Sequence, residues 1–291
     1  MRTLIIGCGY IGLRLARVLI EKGNDVVGTR RSDEGLLVLE ANKIKALQID
    51  ITEPEQLNSL KEDFDWVINC AAAPHSTVAH YTAVYYQGTA NVLNWLRRHN
   101  VKKYVYTSST AVYGQNDGSI VTEESPIFSN TDTGNILIAT EELIMRTQRA
   151  YSLPAIILRV AGIYGEERCY YFKQFVNGQA VIRGDGSRFL NMVHSDDVVG
   201  AILSALEEGE VGNVYNVVDD EPVREIDFFR WLSEQLKKPM PPVVGNQEKA
   251  IRLSTNKRVS NAKLKEKLGY KFKYPTFREG YQPIIKNFLG R

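Results

Sequence analysis

The sequence predicts an α/β fold: a doubly wound parallel sheet, with a smaller C-terminal α/β domain. Three observations carry the prediction. Short, continuously apolar runs in the first half alternate with stretches whose apolar residues fall at helical spacing, the pattern of a parallel sheet covered on both faces. The first such run, Leu4 to Ile6, stops at Gly7, and Gly7, Gly9 and Gly12 then form GxGxxG. Helical spacing resumes at once, at Ile11, Leu15, Val18 and Leu19.

Strands are expected at 3–6, 25–28, 45–49, 66–70, 104–108 and 155–160, and helices at 11–22, 53–61, 77–99 and 135–150. Right-handed crossovers bring the strand ends bearing Gly7, Arg30, Asp50, Ala71 and Ser109 to one edge, the ligand edge of such sheets. Beyond residue 164 the pattern changes. Arg183-Gly-Asp-Gly-Ser187 reads as a turn, and Ser195-Asp196-Asp197 as the cap of a helix from about Val198 to Glu207. A further strand is expected at 213–218, an amphipathic helix at 225–237, a proline-rich loop at 239–242, and a short helix at 262–268 closed by Gly269. The change of pattern divides the chain into a first unit, 1–164, and a second, 165–291, with about 190–218 packing back on the first sheet.

The glycine turn carries the chemistry. In a strand–turn–helix context, Gly7 makes the turn, Gly9 admits a pyrophosphate to the backbone and Gly12 lets the helix sit close to its strand. The free N–H groups and positive dipole end of the helix face the phosphates. NAD-type sites place a carboxylate about 20 residues further on. That place reads Gly28-Thr-Arg-Arg-Ser32, with no acid before Asp33. An arginine fork suits a 2′-phosphate, so the expected cofactor is NADP rather than NAD, with Arg30 and Arg31 as the clamp.

Composition narrows the partners. The 291 residues carry a net charge of +2, with 44% hydrophobic and 24% charged residues, so a small-molecule substrate is expected and neither nucleic acid nor membrane. The Lys/Arg run from Lys249 to Lys273 reads as a solvated face. No metal-ligand spacing appears. Three scattered cysteines, Cys8, Cys70 and Cys169, and the absence of a basic–apolar leader point to a reducing cytoplasm.

Further motifs follow in order: Asp50-Ile-Thr52, Asn69-Cys-Ala-Ala-Ala73, Ser108-Ser-Thr-Ala-Val-Tyr-Gly114, Leu158-Arg-Val-Ala-Gly-Ile-Tyr-Gly165, Val193-His-Ser-Asp-Asp197, Lys257-Arg-Val-Ser260 and Leu268-Gly-Tyr270. With the glycine turn, this series resembles the extended short-chain dehydrogenase/reductase superfamily, in its epimerase/dehydratase group. The resemblance implies a Rossmann domain plus a substrate domain, with the site between them. It implies cofactor contacts at Gly7, Gly9, Tyr10, Ile11, Gly12, Asp50, Ile51, Ala71 and Ala72, beside the arginine clamp. It also places relatives' dimer contacts on the helices at 77–99 and 135–150; a homodimer and a monomer are equally compatible with the sequence.

Relatives pair a tyrosine with a lysine four residues later, the ammonium lowering the phenol's pKa. Aligning Ala139-Thr-Glu141 with the family pattern puts those positions at Thr133 and Leu137, and neither supplies the chemistry. An asparagine common on the fourth-region helix is Tyr85 here. Three residues are candidates for what remains. Ser109 stands where relatives hydrogen-bond the substrate oxygen. Tyr113 is the nearest phenol, with a structural or lining role as its alternative. His75, at the ligand edge, is either a proton donor near neutral pH or an ordinary loop histidine. Two functions follow: an epimerase/dehydratase-like oxidoreductase of small polar or sugar-like substrates, or a catalytically silent NADP(H)-binding sensor.

Overall fold

The structure, a computed structural model, describes residues 1–245 and 255–290. Seven parallel strands form the main sheet: β1 (Arg2–Ile6), β2 (Asp25–Arg30), β3 (Lys45–Gln48), β4 (Trp66–Asn69), β5 (Lys103–Ser109), β6 (Ala155–Val160) and β7 (Val214–Val217). Their spatial order is β7-β6-β5-β4-β1-β2-β3. The chain leaves β1 toward β2 and β3, then crosses back to β4 on the other side. The resulting crevice at the carboxyl ends of β1 and β4 is where open α/β sheets take ligands.

The apolar runs explain the layers. Leu4, Ile5 and Ile6 are wholly buried, and alternate residues face opposite cores: Ile5 packs with Leu15 and Leu19 of the helix Tyr10–Glu21, Leu4 and Ile6 with Leu93 and Trp95. A strand buried on both faces has no polar alternation to show. β7 pairs with β6 at the sheet edge, Val214 to Val217 opposite Ile157 to Val160. A separate aromatic core lies in the second half, where Phe172, Phe175, Phe228, Phe277 and Tyr281 pack together.

The helices depart from the sequence pattern in ways that matter. Asp33–Ala41 is a helix that periodicity missed, because only Gly35 and Leu39 of its residues are buried; Ser32 Oγ caps it by accepting from Gly35 N at 3.2 Å. The helices Tyr170–Val176 and Phe277–Leu289 were likewise unforeseen. The fourth-region helix is α-helical over Val78–Tyr81 and Thr89–Leu96, with a π-helical stretch, Thr82–Gly88, between. Asp132–Tyr151 starts earlier than expected because Thr131 caps it, its Oγ1 accepting from Gly134 N at 3.1 Å.

The helix at 195–207 corrects the expected cap. Ser195, Asp196 and Asp197 form its first turn, and His194 is the cap, its Nδ1 accepting from Asp196 N at 3.1 Å. Buried Asp197 instead anchors the 270–274 segment, accepting from Lys273 N, Tyr274 N and the Tyr270 hydroxyl. The basic run is also not one solvated face. Lys257 is 5% exposed and donates from Nζ to Tyr113 O at 2.6 Å; Lys249 and Arg252 lie outside the described residues.

Candidate functional site

The crevice opens into a cleft of about 820 Å³, within the range of small-molecule and cofactor sites. Its floor is the glycine turn. Gly7 has φ +70°, and a Cβ there would lie 2.4 Å from Ala71 Cα, so both the left-handed backbone and the close approach of the β4 end require glycine. Gly9 N-caps the helix Tyr10–Glu21 without a side-chain cap, which leaves the first-turn N–H groups for a ligand. Gly7, Gly9, Tyr10 and Ile11 line the cleft. Gly12 does not; it is buried, and a Cβ there would sit 3.0 Å from Ile5 Cγ2. Its part is helix–strand packing.

Arg30, Arg31 and Ser32 line one end of the cleft. The Arg30 side chain runs through a slot left by two glycines: a Cβ on Gly35 would lie 2.5 Å from its Nε, and one on Gly9 2.8 Å from its Nη1. Asp33, the first acid after β2, is absent from the lining; it accepts from Gln48 Nε2 at 3.1 Å on the exposed surface. Asp50 both makes a turn and faces the cleft, its Oδ1 accepting from Thr52 N at 2.9 Å and Thr52 Oγ1 at 2.8 Å. Ile51, Ala71 and Ala72 complete this wall.

Ser109 stands at the end of β5, half-buried and lining the cleft. Its Oγ accepts from Ala111 N at 3.1 Å, which leaves its own proton to donate. Thr133 and Leu137 face the same space, so the positions where relatives carry a phenol and an ammonium are in place and hold neither.

Two candidates are not brought there. After Ser109 the chain makes a 3-10 turn, Thr110–Val112, and turns inward. Tyr113 is fully buried: its Oη donates to Asn216 Oδ1 at 2.8 Å and accepts from Arg159 Nη1 at 2.8 Å, and burial pushes the phenol up. The alternative, structural role is the one the geometry supports. Arg159 also donates from Nε and Nη2 to Glu141, which accepts from Ser108 Oγ at 2.5 Å. This buried network ties β5, β6 and the helix Asp132–Tyr151 together directly behind Ser109. An arginine inside the apolar run Ala155–Val160 was its sequence signal, since a buried guanidinium requires partners. His75 is exposed outside the cleft, its ring 5.0 Å from that of His80.

Among the lining residues that escaped the sequence reading as site residues are Tyr81, Tyr85 and Arg168. Tyr81 and Tyr85 are one helical turn apart, which is the signal for a shared face, and their rings meet edge-on at 4.8 Å.

A sequence model described as the NAD dependent epimerase/dehydratase family matches residues 3–218. The chain is 26% identical to Protein YeeZ of Escherichia coli over 282 residues, 94% of this chain and 96% of that protein. It is 28% identical to the dTDP-D-glucose 4,6-dehydratase of Dictyostelium discoideum over 258 residues, 77% of this chain and 59% of that one. A solved structure of UDP-glucose 4-epimerase with UDP-glucose, from Thermotoga maritima, superposes with a TM-score of 0.86 at 22% identity, covering 100% of this chain and 99% of that one; this likeness is one of fold.

Proposed function

Since this chain belongs to the NAD dependent epimerase/dehydratase family, we propose that it is an NADP-dependent oxidoreductase of that type, acting on a small polar or sugar-like substrate. The observation that carries the reading is a single cleft lined both by the glycine turn at a helix N-terminus and by Ser109. The cradle fits a dinucleotide: a Cβ at Gly7 would strike Ala71, and the uncapped first turn offers donors to a pyrophosphate. Gly7, Gly9, Tyr10 and Ile11 would hold that group, Asp50, Ile51, Ala71 and Ala72 the adenosine side, and Arg30, Arg31 and Ser32 a 2′-phosphate. Asp33, turned away on Gln48, adds no carboxylate beside that phosphate. A bound nicotinamide supplies hydride transfer at a substrate carbon.

The protein's own share is orientation. Ser109 keeps a free proton for the substrate oxygen, on a strand end held by the Ser108–Glu141–Arg159–Tyr113 network. Three free cysteines fit a reducing cytoplasm, and no helix among the described residues is long and apolar enough to cross a membrane.

One observation favours a second reading: with Thr133 and Leu137 in the cleft, a nucleotide-binding sensor needs no further acid. Titration with NADP⁺ and NAD⁺, followed by a panel of UDP- and dTDP-linked hexoses and 4-ketohexoses read at the nicotinamide absorbance, separates the two. Tight NADP binding with turnover on a panel member supports the enzyme. Tight binding with no turnover anywhere supports the sensor, and no binding of either dinucleotide refutes both.

A further inference from the structure

The cleft that lacks a phenol at 133 is lined by one at Tyr85, on the neighbouring helix. Tyr85 sits in the middle of the π-helical stretch Thr82–Gly88 and is half-buried against the cleft. Such stretches are rare, and they occur most often where a helix re-aims a side chain at a functional site. Arg168 lines the same cleft beyond β6. Its guanidinium leans on the Tyr10 ring at 5.6 Å, and it has no carboxylate within ion-pair distance among the described residues. Arg168 is exposed at the mouth of its loop and lines the cleft together with Tyr10 and Tyr85.

Resting on the oxidoreductase reading, we infer that Tyr85 is the proton donor of this cleft and Arg168 the cation that supports its conjugate base. The pair replaces the phenol and ammonium missing at Thr133 and Leu137, and it works in the direction of carbonyl reduction. As hydride leaves a reduced nicotinamide dinucleotide, which is thereby oxidised, and forms the new C–H bond, the carbonyl π pair moves to oxygen. That oxygen, oriented by Ser109, takes the Tyr85 proton as the phenol O–H breaks, and the phenolate regains a proton from water. The direction follows from the balance at Tyr85. Burial raises its pKa, and the Arg168 charge only partly offsets this. The phenol stays protonated at neutral pH, ready to donate to an alkoxide and poor at removing a proton from an alcohol.

The test has two arms on the full chain. In protein carrying tyrosine labelled with ¹³C at Cζ, the Tyr85 resonance is assigned by its loss in Tyr85→Phe. It should titrate above the ordinary phenol value of about 10 and move up by about one further pH unit in Arg168→Met. In NADPH-driven reduction of the UDP- and dTDP-linked 4-ketohexoses, Tyr85→Phe should lose about 10²- to 10⁴-fold in turnover, while Tyr86→Phe on the same stretch stays at the wild-type rate. An active wild type beside an equally active Tyr85→Phe overturns the donor role alone. A Tyr85 titration unmoved by Arg168→Met overturns the pairing. A wild type that turns over a hexose but no 4-ketohexose overturns the donor role alone, and one inert to the whole panel overturns the oxidoreductase reading with it.

Discussion

Arg30 is the residue on which cofactor choice should turn. Its stem is held in the slot beside Gly35 and its guanidinium reaches over Gly9, so little side-chain freedom is left to lose on binding. A hydrogen bond to a charged group contributes about 1.5–3 kcal/mol, equal to about 10- to 150-fold in affinity. Arg30→Met should therefore weaken NADP⁺ by about that factor and leave NAD⁺ within about twofold. Arg31 is exposed and must give up rotamer freedom to hold a phosphate, so Arg31→Met should cost at most about 1 kcal/mol, the range of exposed ion pairs. Isothermal calorimetry of both dinucleotides on wild type and the two variants measures this directly. Raising the salt should shrink the NADP preference, since the clamp sits at the rim of the cleft. A wild type that binds the two dinucleotides equally well would refute the clamp. So would an Arg30→Met that weakens both alike, which would mean that Arg30 supports the shared part of the site.

The same slot makes Gly35→Ala informative: alanine favours the helix by about 0.5–1 kcal/mol, yet its Cβ displaces the Arg30 stem, so thermal stability should hold while NADP⁺ affinity falls. Glu141→Ala leaves the Arg159 guanidinium, 5% exposed, without its carboxylate, and should destabilise the fold by about 3–5 kcal/mol in denaturant titration. His75→Ala should leave turnover within about twofold, because the ring stands outside the cleft. The His194 cap predicts a pH dependence. Burial lowers its pKa from 6.5 to about 4, so the unfolded chain takes up a proton first and stability falls as pH drops from about 6.5 toward 4. Denaturant midpoints of wild type and His194→Asn across that window should differ by an amount that shrinks toward the acid end, and parallel curves would exclude the effect.

Glycine spacing, strand length and apolar run are short-range properties, and they located the sheet, the turn at Gly7 and the wall carrying Arg30, Asp50 and Ala71 without any tertiary information. The resemblance to the epimerase/dehydratase group, not spacing, put the acid–base positions at Thr133 and Leu137, which hold no such pair. What they could not decide is where a side chain points once its strand has ended. Tyr113 is drawn inward by Asn216 and Arg159, and its backbone carbonyl is held by Lys257, 103, 46 and 144 residues away respectively. Tyr85 and Arg168 share a cleft only because a π-helical stretch and the loop after β6 bring them there. Backbone conformation answers to neighbours in the chain. The company a polar side chain keeps answers to the packing of the whole molecule, which pairs or exposes each charge according to what lies across the core.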